Sequence, residues 1–217
     1  MDIKDYIPKK GTILVGDGHD VTAKLQHWTN GPGATHGCHI TYPTGADRDI
    51  PLVMSNEYNG AVHVVWKKFV GDPTYNIWLY EIVGATEEEI NHALDYCERE
   101  FLNDKYAYLS WPWFGYKALW EKVLNPVLNV LTFGRVHYNI DKQHNWYFKD
   151  SFCTEQEYYF LDEVSGWDPS RWGKLRGLLK QYFPDTFQPI QFKATLTGNL
   201  DIFRLIAQRV DGVFTIF

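Results

Sequence analysis

From Gly11 to Val83 the chain is a succession of short apolar runs, each broken by glycine, proline or asparagine, and that pattern demands strands. Gly11-Thr-Ile-Leu-Val15 reads as a buried strand, and Gly16-Asp-Gly18 as the turn after it. Asp20 caps a helix running to about Trp28, and Asn30-Gly-Pro-Gly33 is a loop by composition. Thr35 to Tyr42 follows as a strand ended by Pro43. Leu52 to Asn56 and Ala61 to Trp66 are two strands around the turn Tyr58-Asn59-Gly60, and Ile77 to Val83 is a further one.

The pattern then changes to helical spacing. Thr86 with Glu89 makes a capping box, and Ile90, Ala93, Leu94, Cys97 and Phe101 recur on one face. Cys97 is therefore expected to be a packing residue. A helix is expected from Phe114 to about Leu124, and another starting near Cys153, capped by Asp150 or Ser151. Beyond it come a polar stretch around Pro184 to Pro189 and apolar segments at Leu200 to Ile206 and Val213 to Phe217. Strands followed by helices give an α+β fold, with helices packed on a small antiparallel sheet.

The 217 residues fit a single domain spanning 1–217. A net charge of −6, with no basic stripe, argues against nucleic acid as a partner. No apolar run approaches the ~20 residues of a membrane helix, and the opening MDIKDYIPKKG has no apolar core of a signal peptide. Three cysteines without metal-like spacing point to neither a disulfide framework nor a zinc site, and to a reducing, cytoplasmic setting. Aromatics make up 17% of the chain and crowd a segment around 106–146. They either fill core or wall a pocket.

Chemistry narrows to a few residues. Cys153 stands at a helix start, where free N–H groups and the helix dipole stabilise a thiolate and can hold an oxyanion. A buried structural cysteine is the equal alternative on local sequence. Glu155 and Glu157 oppose a low thiol pKa unless they face solvent. In the strand Thr35-His-Gly-Cys-His-Ile40, alternation puts His36, Cys38 and Ile40 on one face and His39 on the other. Cys38 and His36 stand about 7 Å apart and parallel, poor geometry for proton transfer, so Cys38 is expected to pack. Glu57, at a strand end, is available to orient an imidazole.

Taken together, these segments resemble the permuted branch of the NlpC/P60 superfamily, the YiiX/YaeF-like papain-fold hydrolases. The resemblance rests on Gly11-Thr12-Ile13-Leu14-Val15, Thr35-His36-Gly37, Asn56-Glu57-Tyr58-Asn59-Gly60, Tyr106-Ala107-Tyr108-Leu109 and Phe152-Cys153-Thr154-Glu155, in that order. It implies a circularly permuted papain-like fold with Cys153 as nucleophile, His36 as base, Glu57 as orienter and Tyr106 lining the site. The sulfur of Cys153 is then expected within reach of a His36 ring nitrogen. The implied activity is hydrolysis of an amide, often in a cell-wall peptide, or of an ester, with no cofactor. A related branch handles lipid esters and amides, so a lipid acyl hydrolase or acyltransferase is the first alternative. A non-catalytic binding or virion structural module on the same fold is the second. A cell-wall substrate needs a route past the missing signal peptide, such as delivery by a phage particle.

Overall fold

The expected strands join into one sheet, larger than the small one anticipated. A computed structural model describes residues 2–19, 21–30, 32–42, 50–57, 60–102, 119–132, 153–182 and 189–217. In chain order the elements are β1 (Ile13–Asp17), α1 (Val21–Asn30), β2 (His36–Thr41), β3 (Leu52–Glu57), β4 (Gly60–Val65), the short α2 (Trp66–Phe69), β5 (Asn76–Ile82) and α3 (Glu87–Phe101). They continue with α4 (Asn125–Leu131), α5 (Cys153–Trp167), α6 (Gly173–Tyr182), α7 (Pro189–Gly198), β6 (Phe203–Val210) and β7 (Val213–Ile216). The sheet has seven strands in the order β4-β3-β2-β1-β5-β6-β7, and every neighbouring pair is antiparallel.

Alternation along the strands divides the core in two. Ile13, Val15, Met54, Tyr80 and Ile82 face the helices α3, α5, α6 and α7. Leu14, Cys38, Ile40, Val53, Ile77 and Leu79 face the other way, against Ile3, Trp66 and Val70. β1, central and covered on both sides, is buried at all five positions, which is why it reads as an unbroken apolar run rather than an alternating one.

The capping box forms as expected. The Glu89 N–H donates to Thr86 Oγ1 at 3.3 Å, and the Thr86 N–H donates to Glu89 Oε2 at 2.7 Å. Ile90, Ala93, Leu94, Cys97 and Phe101 are all buried. Two expectations shift. Gly16 and Asp17 remain in β1 instead of turning, because both pair with β5 and Gly16 lies against the Tyr75 ring with no room for a side chain. The helix expected to end near Leu124 continues to Leu131 through Pro126. The π-helical turn at Trp120–Leu124 precedes that proline, so its missing N–H falls where the bonding pattern changes over. Residues 114–118 lie outside the described residues. Helices α6 and α7 went unanticipated: among the described side chains of α7, Phe192 and Leu196 are the large buried ones.

One side chain ties the far face together. Arg209 on β6 is 4% exposed and donates to the carbonyls of Val70, Asp72 and Tyr75. Arg209→Met should lower unfolding free energy by about 3 kcal/mol, because those carbonyls lose a charged donor while staying packed. Urea denaturation measures it; a loss under about 1 kcal/mol would mean that water replaces the guanidinium.

Candidate active site

Helix α5 begins at Cys153 and lies across β2. Its first turn comes close: a Cβ added at Gly37 would stand 3.0 Å from Thr154 Cγ2 and 3.5 Å from Glu157 Cγ. A side chain at position 37 would fit only if Thr154 gave way, so glycine permits this close approach. One turn on, Glu157 meets His39. The imidazole donates from Nδ1 to Glu157 Oε1 at 2.7 Å, and neither side chain is exposed. The ring also stacks on Phe160, with centroids 4.8 Å apart. Phe160, Leu161 and Val164 are buried on the same side of the helix. Glu157 therefore does not face solvent; His39 is its hydrogen-bond partner, and His39 Nε2 and Glu157 Oε2 have no partner among the described residues. The side chain of Cys153 lies outside the described residues.

His36 is placed differently from the expected base. Alternation holds as read, so the His36 ring belongs to the face opposite α5. Its Nε2 lies 2.7 Å from Ser55 Oγ, and the ring stacks on Phe69 at 6.2 Å. The sheet itself stands between that ring and the body of α5. The β2–β3 register pairs His39 with Met54 and Thr41 with Leu52; carried on to the strand ends, it sets Glu57 across from His36. The backbone thus sets positions 36 and 57 opposite each other on neighbouring strands. The Glu57 side chain, Tyr106 and the expected Cys153–His36 contact lie outside the described residues, as does most of the aromatic segment 106–146. Cys38 is sealed among Leu14, Ile40 and Val53. Cys97 is sealed under α5, and burial, with Glu157, Glu163 and Glu98 adding, pushes its thiol well up.

A polar cluster not anticipated from the sequence lies at the end of the sheet where β2 begins. Asp17 Oδ1 accepts from His27 Nε2 at 2.6 Å, the two side chains being 10% and 23% exposed. Lys193 on α7 donates to the Gly33 carbonyl at 3.0 Å and sits 3.0 Å from the Trp78 ring centroid. Burial lowers Lys193 to about 8, against the pull of Asp17. The signal was present in part: Asp17 has the same parity on β1 as Ile13 and Val15, and a carboxylate on that face needs a partner. Among the described residues no three His, Cys, Asp or Glu side chains are grouped to hold a metal ion. Nor is any described helix long and apolar enough to cross a membrane.

Compared with known proteins, the chain matches no family model and no curated sequence.

Proposed function

We propose that this protein is a cysteine hydrolase of the permuted papain-like NlpC/P60 type, cleaving an amide or ester bond through a thioester on Cys153. The observation that supports it is the seating of α5. A helix whose first residue is a cysteine lies with its first turn pressed on a central strand at Gly37. The resemblance expects the helix bearing Cys153 to pack against the sheet that carries His36, and α5 packs on that sheet. The free N–H groups of that first turn supply an oxyanion site, and the helix dipole favours the thiolate.

In the reaction the thiol proton passes to an imidazole. The sulfur forms a bond to the acyl carbon, and the carbon–nitrogen or carbon–oxygen bond breaks as the leaving group takes the proton back. Water then hydrolyses the thioester. The resemblance assigns the proton to His36 with Glu57 behind it, an arrangement that must work around the end of β2. A peptide amide is the first substrate class. Tyr106 and the aromatic segment make an apolar acyl group the alternative. The cytoplasmic setting, and delivery by a phage particle for a wall substrate, belong to the same reading.

Brief iodoacetamide treatment of the native protein tests this. Mass spectrometry should find Cys153 modified first, with Cys38 and Cys97 reacting only on unfolding, because both are buried. Faster labelling of Cys38 would move the nucleophile there.

A further inference from the structure

Three imidazoles, two on β2 and one on α1, are candidates for the base, and their surroundings separate them. His36 points to the opposite face of the sheet. His39 is on the correct face but fully sealed, and a base must be reachable by the substrate. His27 differs from both, being partly exposed and held by a buried carboxylate.

Strand register puts His27 at the right end of the sheet. β1 pairs with β2 as Ile13 with His39 and Gly16 with His36, so Asp17 falls beside Thr35, where β2 is about to begin. By alternation Asp17 shares the helix-covered face with Ile13 and Val15. Helix α5 has Phe160 against His39 and Thr154 against Gly37, so its N-terminus points to that same end. Helix α7 closes the other side. A Cβ at Gly37 would meet Phe192 at 3.6 Å, and the next residue, Lys193, brings a positive charge onto Trp78 beside Asp17. One sheet end therefore collects the start of the nucleophile helix, a carboxylate-held imidazole and a cation.

Resting on the hydrolase reading above, we infer that His27, oriented by Asp17, is the imidazole that takes the proton of Cys153. The hydrogen bond fixes the tautomer: Nε2–H donates to Asp17, so Nδ1 is the proton acceptor. The thiol proton moves to Nδ1, Asp17 offsets the imidazolium charge, and the proton later leaves with the amine or alcohol. Lys193 favours the thiolate and can meet an anionic substrate group.

The test is the rate of Cys153 alkylation by iodoacetamide at neutral pH in the full chain, with His92→Gln, a remote exposed imidazole, as control. His27→Ala should slow alkylation by about a hundredfold, the usual worth of a general base. Free imidazole should restore much of the rate, which a purely packing role does not allow. Asp17→Asn should lower it in the same direction. An unchanged rate in His27→Ala, a loss that imidazole does not rescue, or a loss seen with His36→Gln in place of His27→Ala would each overturn the assignment. Should circular dichroism show His27→Ala unfolded, His27→Asn and Asp17→Asn decide, and wild-type rates in both would overturn it. A wild-type Cys153 no faster than a free thiol overturns the hydrolase reading and this inference with it. A fast Cys153 indifferent to His27 overturns only the inference.

Discussion

Cys153→Ala should reduce acyl hydrolysis at least about a thousandfold while leaving the fold intact, because removal of a covalent nucleophile leaves only binding and oxyanion stabilisation. Stability should hold because the helix is anchored further along, by Glu157, Phe160, Leu161 and Val164. The measurement is chromophore release from a panel of acyl esters and peptide anilides, alongside the thermal unfolding midpoint. A variant that keeps wild-type turnover would remove Cys153 from the chemistry. A variant inactive and also unfolded would show that position 153 is a packing residue, as the local sequence alone equally allowed. Cys153→Ser refines the reading: the hydroxyl is nearly isosteric but far less ionised, so a hydrolase loses most of its turnover with the fold unchanged.

Glu157→Ala carries the largest expected cost in stability, about 3–5 kcal/mol. The His39–Glu157 pair is wholly buried between β2 and α5, and removing one member leaves the other without its partner in a dry site. The same physics predicts the remedy. Replacing both residues with apolar side chains of similar volume, as in His39→Leu with Glu157→Met, should recover most of the loss. Urea unfolding of both singles and the double variant measures the coupling directly. Additive single effects, or a Glu157→Ala loss below about 1 kcal/mol, would mean that the pair does not hold α5 to the sheet.

Much of the backbone was legible because its signals are local. The capping box of Thr86 and Glu89 involves groups three residues apart, and it forms where the sequence places it. The division of His36 from His39 follows from strand alternation, which no packing partner can change without moving the whole register. Where local signals conflict with long-range pairing, pairing prevails. Gly16 and Asp17 look like a turn, yet they remain in β1 because β5, some sixty residues on, pairs with both. Helix α7 gave little sequence signal because only Phe192 and Leu196 of its large residues are buried among those described.

The amino-acid sequence by itself determined an α+β chain, the strand that carries His36 and His39 on opposite faces, and a helix opening at Cys153. Each of these depends on spacing or capping within a dozen residues. Only the tertiary structure decided which face of β2 that helix covers, since the helix takes the Gly37-His39-Thr41 face and not the more apolar one with Cys38 and Ile40. That choice puts His39 and Glu157 in contact across 118 residues of sequence, places Asp17 and His27 at the end of the sheet where that helix begins, and sets His36 on the opposite face. Alternation names the two faces of a strand, but the packing of distant elements selects which one becomes the site.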